Sequence, residues 1–237
     1  AKGNISQVMR YAIATGKAER DPCPDLRGAL PPISKSNFAS ITDPTKVAEL
    51  LRAMDAFKGT FRVQCALKLA PILFVRPGEL RKAEWKDFDL GTAQWCYVAS
   101  KTKTDHIVPL AAQAVGILKE LYALTGHGRY VFPGNDPQKT MSEATINAAL
   151  RRMGYDTKTE ITGHGFRAMA RTILHEVLHQ RPEVIEHQLA HAVPDALGTA
   201  YNRTLFLKER KAMMQLWADY LDKLKAGAEI IPLHNAA

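Results

Sequence analysis

Six side chains of this 237-residue chain have types suited to chemistry at a phosphodiester: Arg76, Lys101, His164, Arg167, His191 and Tyr201. A guanidinium offers a planar fork that matches two phosphate oxygens, which an ammonium cannot do. Two forks, Arg76 and Arg167, can hold both non-bridging oxygens of one phosphate and oppose the added charge of a pentacoordinate transition state. By comparison with a deleted oxyanion donor, losing one removes about 3–4 kcal/mol of that stabilisation. Tyr201 offers a phenol nucleophile, which with a reference pKa near ~10 needs local help to attack phosphorus. A neutral imidazole such as His191 can share the phenol's proton or hydrogen-bond a phosphate oxygen. Lys101 lies in the turn Ser100-Lys-Thr-Lys103, from which an ammonium can protonate a leaving oxygen, and Lys103 competes for that role.

The spacing around these residues carries further meaning. Arg76 opens Arg-Pro-Gly-Glu-Leu80, at the head of a predicted helix whose first amides favour an anion. Glu79, three residues on, is placed to orient an arginine or cap the helix rather than to react. His164 and Arg167 are three apart on a predicted helix and share a face, with Gly163 and Gly165 allowing close backbone approach. Taken singly, each has an ordinary explanation: a solvated turn lysine, an exposed basic pair, a half-buried helix tyrosine. Arg151, Arg152 and Lys158 are further candidates for phosphate contacts, or simply a solvated face.

One motif points to other chemistry. His175-Glu-Val-Leu-His179 matches the His-Glu-x-x-His pattern of zinc proteases, whose histidines share a helix face. Its extension is poor, because Pro182 and Ile185 stand where glycine and histidine are wanted.

The elements that must position these groups are mostly helical. Ile5, Val8, Met9, Ala12 and Ile13 recur at helical spacing over 5–15, and Gly16 can end that helix. The prolines between Asp21 and Pro32 predict an extended linker. Asp43 and Pro44 then give a helix start. Helices are predicted over 44–57, 60–73, 77–86, 111–124, 142–152, 164–178, 183–190 and 207–225. Two short strands, 93–99 and 105–109, form a hairpin through the Lys101–Thr104 turn, and 129–132 predicts a third strand. The apolar side of 207–225 (Met213, Met214, Leu216, Trp217, Tyr220, Leu221, Leu224) is either core or a docking surface for a neighbour. The fold class is mainly α with a small antiparallel β-sheet.

Bulk properties fit a globular partner of a polyanion. Hydrophobic residues make up 46%, enough for a real core, and the formal charge is +8. Three widely spaced cysteines, Cys23, Cys65 and Cys96, form neither a disulfide framework nor a metal-type cluster, which predicts a reducing cytoplasm. No apolar run approaches the ~20 residues needed to span a bilayer, and no secretory signal precedes the first helical segment, so no membrane association is expected.

Together, Arg76-Pro-Gly-Glu-Leu80, Lys101, His164-x-x-Arg167, Leu189-Ala-His191 and Tyr201 resemble the tyrosine recombinase (phage integrase) family in order and spacing. The wording of His106-Ile-Val-Pro-Leu110, Val184-Ile-Glu-His-Gln-Leu-Ala-His191, Ala200-Tyr-Asn-Arg203 and Met213–Leu221 is most similar to integrases of satellite prophages and genomic islands. The resemblance implies the DNA breaking-rejoining fold, with residues 1–40 as the last helix of a truncated core-binding domain plus linker and 41–237 as the catalytic domain. It implies Tyr201 as nucleophile, forming a 3′-phosphotyrosine link. Arg76 and Arg167 would then grip the scissile phosphate and Lys101 protonate the departing 5′ oxygen. His164 would assist proton transfer at the tyrosine, and His191 would hydrogen-bond the phosphate. It also implies no cofactor or metal, double-stranded DNA attachment sites as substrate, a homotetramer on DNA, accessory DNA-bending proteins, and a bacterial cytoplasmic setting on chromosomal DNA. The chain departs from the commonest family pattern in having Leu-Ala-His for Leu-Gly-His and one extra residue before the tyrosine. A non-cleaving DNA-binding regulator with the same fold, and a zinc protease through His175, Glu176 and His179, are the alternative readings.

Overall fold

The structure, a computed structural model, describes residues 1–29, 38–191 and 206–227. The chain divides into two units, Ala1–Asn37 and Phe38–Ala237. In the first, α1 (Lys2–Ala14) is followed by a 3-10 turn, Cys23–Leu26, and the Ser6 hydroxyl donates to the Asp21 carboxylate at 2.5 Å.

The second unit opens with α2 (Pro44–Asp55), which starts where its residue types dictate. The Asp43 carboxylate accepts from the Lys46 N–H at 3.0 Å, and Pro44 takes the first helical position. Further helices pack with it around one core. α3 (Phe61–Leu73) buries residues on most of its circumference, and α5 (Ala112–Thr125) and α9 (Leu207–Ala226) pack on it. α9 places Met213, Met214, Trp217, Tyr220, Leu221 and Leu224 in that core, and the Trp217 indole N–H donates to the Pro71 carbonyl at 2.9 Å. The apolar side of 207–225 is therefore core of its own chain, with Leu216 left exposed. No helix among the described residues is long and apolar enough to cross a membrane.

The sheet is small and antiparallel, in the order β1 (Phe88–Asp89), β2 (Gln94–Val98), β3 (Asp105–Pro109). Trp95 pairs with both Phe88 and Val108, and its buried ring stacks on Phe88 at 4.9 Å.

Two expectations about elements fail for one reason. The helix predicted over 77–86 stops early, as α4 (Pro77–Arg81), and 129–132 makes no strand beyond a bridge between Glu84 and Tyr130. Residues 83–85 instead pair with 129–131, through Val131 N–H to the Ala83 carbonyl (2.9 Å) and Trp85 N–H to the Arg129 carbonyl (3.0 Å). Long-range pairing overrides the local helical pattern there. The remaining helices, α6 (Thr145–Arg152), α7 (Gly165–Glu176) and α8 (Pro182–Gln188), lie close to the spans their periodicity predicts.

Candidate active site

Arg76 caps the short helix α4 and is fixed by Glu79. The Glu79 carboxylate accepts from the Arg76 backbone N–H at 3.2 Å and from Arg76 Nη1 at 3.0 Å. This corrects the idea that the helix start offers free amides to an anion: the helix has five residues, and the N–H at its cap is already used. The Glu79 side chain is only 3% exposed. It also accepts from the Tyr97 hydroxyl (2.9 Å) and from the Ser100 N–H and hydroxyl (both 3.1 Å). Burial alone would raise its pKa, but the donors at Ser100, Tyr97 and Arg76 outweigh that and leave it below the ordinary carboxylate value. One buried carboxylate thus ties the arginine to the hairpin turn that carries Lys101.

Arg167 reaches the same place from α7. Its Nη1 donates to the Phe74 carbonyl (3.0 Å), and its Nη2 to the Leu189 carbonyl (2.8 Å) and His191 Nε2 (3.2 Å). Arg76 Nη2 donates to the next carbonyl along, Ala190, at 3.2 Å. Two guanidinium groups from helices far apart in sequence therefore meet at Leu189-Ala190-His191. Burial and the Arg76 charge push the Arg167 pKa down to about 10, so it stays charged at neutral pH but in a site poor in counter-charge. Such a site favours an arriving anion.

His164 sits one residue ahead of α7 and stacks on Phe38, with ring centroids 4.4 Å apart. Burial, then Arg167 and Arg76, lower its pKa, which favours the neutral ring. Gly165 is required beside it: a Cβ there would lie 2.1 Å from the Ala39 carbonyl oxygen. His191 follows α8, and its Nδ1 lies 2.5 Å from Glu186 Oε2. Ala190, where the commoner pattern has glycine, is left-handed with φ 51°.

Lys101 and Lys103 are both exposed in the turn between β2 and β3. They differ in attachment: Ser100, next to Lys101, is held by Glu79, whereas Lys103 takes a left-handed conformation with φ 57°. Tyr201 lies outside the described residues. The structure thus brings together Arg76, His164, Arg167 and His191. Tyr97, Ser100, Arg171 and Glu186 also belong to this network; the zinc reading offers Glu186 as a possible third metal ligand, but no residue pattern assigns any of the four a role at the arginines. Only the spacing of Glu186 and Arg171 to His191 and Arg167 could have marked any of them. Arg152 instead folds back on the Lys58 carbonyl (3.1 Å) and the Phe57 ring, and Arg151 donates to the Thr157 hydroxyl (3.0 Å).

The zinc pattern breaks in three dimensions. α7 ends at Glu176, and His179 is left-handed with φ 50°, so the two histidines do not share a helix face. No group of three or more His, Cys, Asp or Glu that could hold a metal occurs among the described residues.

Comparison with known proteins gives the family and the fold. The phage integrase family pattern matches residues 41–207. The integrase of Enterobacteria phage P4 is 39% identical over 234 residues, covering 92% of this chain and 53% of that protein. Prophage integrase IntZ of Escherichia coli K12 is 35% identical over 225 residues, covering 94% of this chain and 55% of that protein. The chain thus spans little more than half the length of these relatives. Among solved structures, the integrase of mycobacterium phage Brujita aligns with a TM-score of 0.59 at 17% identity, over 97% of this chain and 76% of that one. A lambda integrase dimer bound to a COC′ core site aligns at 0.58 and 17%, over 98% and 60%. A lambda integrase tetramer bound to a Holliday junction aligns at 0.58 and 18%, over 84% and 59%. These likenesses establish the tyrosine recombinase catalytic fold, and the chain belongs to the phage integrase family.

Proposed function

We propose that this protein is the catalytic part of a site-specific DNA recombinase, an integrase that cuts and rejoins DNA through a 3′-phosphotyrosine intermediate to integrate or excise a mobile element. The observation that carries the proposal is the meeting of Arg76 and Arg167 at adjacent carbonyls, Ala190 and Leu189, beside His191. Both arginines keep further N–H donors for the non-bridging oxygens of one phosphate. In the forward step the Tyr201 oxygen bonds to phosphorus and the bond to the 5′ oxygen breaks. Lys101 gives that oxygen its proton, His164 assists removal of the phenol proton, and His191 hydrogen-bonds the phosphate. The anchoring of Ser100 by Glu79 favours Lys101 over Lys103 as the acid. In the return step a 5′ hydroxyl of a partner strand attacks the tyrosyl link, so no external energy source is consumed.

The substrate is double-stranded DNA at attachment sites, and the working assembly is a homotetramer with accessory DNA-bending proteins, in a bacterial cytoplasm. Residues 1–40 are the end of a core-binding domain with its linker, and 41–237 the catalytic domain. A nicked attachment-site duplex that loses its 5′ fragment on cleavage tests this, because rejoining is then blocked. The wild-type protein should accumulate a covalent adduct and Tyr201→Phe none. Tight DNA binding without any adduct would instead favour a non-cleaving regulator.

A further inference from the structure

His191 makes two side-chain contacts that together fix its protonation pattern. Its Nε2 lies 3.2 Å from Arg167 Nη2, and its Nδ1 lies 2.5 Å from Glu186 Oε2. A guanidinium nitrogen only donates, so Nε2 must accept there and carries no hydrogen. Nδ1 then holds the ring proton and donates it in a hydrogen bond to the carboxylate. The carboxylate is itself fixed, since Glu186 Oε1 accepts from Arg171 Nε at 2.7 Å. Arg171 lies four residues after Arg167 on α7, so both arginines project from one face of that helix. The backbone closes the same loop, through the His191 N–H to the Glu186 carbonyl at 3.1 Å.

We propose that Glu186 is a positioning residue that sets the tautomer of His191, keeping the proton on Nδ1 so that a bare Nε2 faces Arg167. This rests on the function proposed above and adds a requirement to it. A bare Nε2 cannot donate to a phosphate oxygen. When the phosphate takes over Arg167 Nη2, the Nε2 lone pair must first take up a proton from solvent hydronium, leaving water and giving an imidazolium whose charge faces Glu186. Nε2–H then donates to the phosphate. The charged groups around His191 are Glu186 on α8, Arg167 on α7, Arg76 on α4 through the Ala190 carbonyl, and Arg171 behind the carboxylate.

Nitrogen-15 NMR of the imidazole in the DNA-free protein reads the tautomer directly, at about pH 8, where an ordinary imidazole is neutral. Wild type should show Nδ1 protonated and Nε2 bare. Glu186→Ala removes the acceptor of Nδ1–H and leaves only the Arg167 donor, so a fraction of rings with the proton on Nε2, the usual preference of a free histidine side chain, should appear. In Glu186→Gln the amide oxygen still accepts, and the wild-type tautomer persists without the negative charge. His191→Gln assigns the signal. On the nicked duplex, Glu186→Gln should form the adduct about 10- to 100-fold more slowly, as when outer partners of metal-bound imidazoles are removed, with DNA affinity unchanged and Glu186→Asp restoring part of the rate. An Nε2-protonated ring in wild type overturns the inference, and so does an undiminished rate in a folded Glu186→Gln protein. Absence of any wild-type adduct would count against the recombinase function instead, leaving the tautomer result to stand or fall alone.

Discussion

Glu79→Gln is the most informative perturbation of the site's framework, because it keeps the volume and changes only charge and donor pattern. If the amide oxygen replaces Oε1, it still accepts from Arg76 Nη1 and from Ser100. The amide nitrogen then takes the place of Oε2 and meets the Arg76 backbone N–H, donor against donor, while the Tyr97 hydroxyl can turn to accept. One hydrogen bond to a charged acceptor is lost, about 1.5–3 kcal/mol. The remaining bonds lose their charge assistance, and the Arg76–Arg167 repulsion loses its neighbouring anion. Breaking a buried pair from one side brings the total to about 3–5 kcal/mol. Urea unfolding at about neutral pH should show this as a lower midpoint at an unchanged m-value. The pH dependence supplies a second check. The folded pKa of Glu79 is depressed, so its stabilisation is present above the unfolded carboxylate value, ~4.3, and is lost as pH falls through the folded one. The gap between wild type and variant should therefore close in acid. A loss under about 1 kcal/mol at neutral pH would refute the view that this carboxylate holds the arginine and the hairpin together.

Three further outcomes are expected. Gly165→Ala puts a methyl 2.1 Å from the Ala39 oxygen and 2.9 Å from Ile161 Cδ1, so thermal unfolding should show a loss of about 1–3 kcal/mol; a neutral result would deny the close approach. His106 is buried, its Nε2 is 3.1 Å from the Gln188 carbonyl oxygen, and burial followed by the Arg210 charge pushes its pKa down to about 3. As pH falls below ~6.5 the unfolded chain binds a proton that the folded one refuses, so this group should cost about 2 kcal/mol between ~pH 6.5 and ~pH 5, and His106→Gln should lack that component of the slope. Lys101→Ala should cleave ordinary DNA poorly and recover on a substrate whose leaving group is a 5′ sulfur, which needs no proton; recovery in Lys103→Ala instead would reassign the acid.

What could be read from the chain alone was what depends on local pattern. The Asp43-Pro44 cap, the periodicity of α9 and the hairpin around Lys101 follow from residue types at short spacing. The arginines were recognisable as phosphate ligands by chemistry, and their order along the chain pointed to one site. Glu79 was legible as the residue that orients Arg76, but the carbonyls at 189 and 190 that also hold Arg76 and Arg167 were not, because backbone groups carry no sequence signature. Nor were the other partners of Glu79, since Tyr97 and Ser100 come from a strand and a turn about twenty residues later. Segment 83–85 shows the reverse failure: a good helical pattern yields to pairing with 129–131. The His-Glu-x-x-His match misled because a regular pattern assumes a continuous helix, and the backbone turns left-handed at His179.

The central claim is that Arg76 and Arg167 act on one anion, and a double-mutant cycle on adduct formation tests it most directly. Arg76→Ala and Arg167→Ala should each slow adduct formation on the nicked duplex by about 10²–10³-fold. The double variant should lose far less than the product of the two, because groups sharing one phosphate are coupled. Losses that multiply fully would mean that the two guanidinium groups serve separate sites.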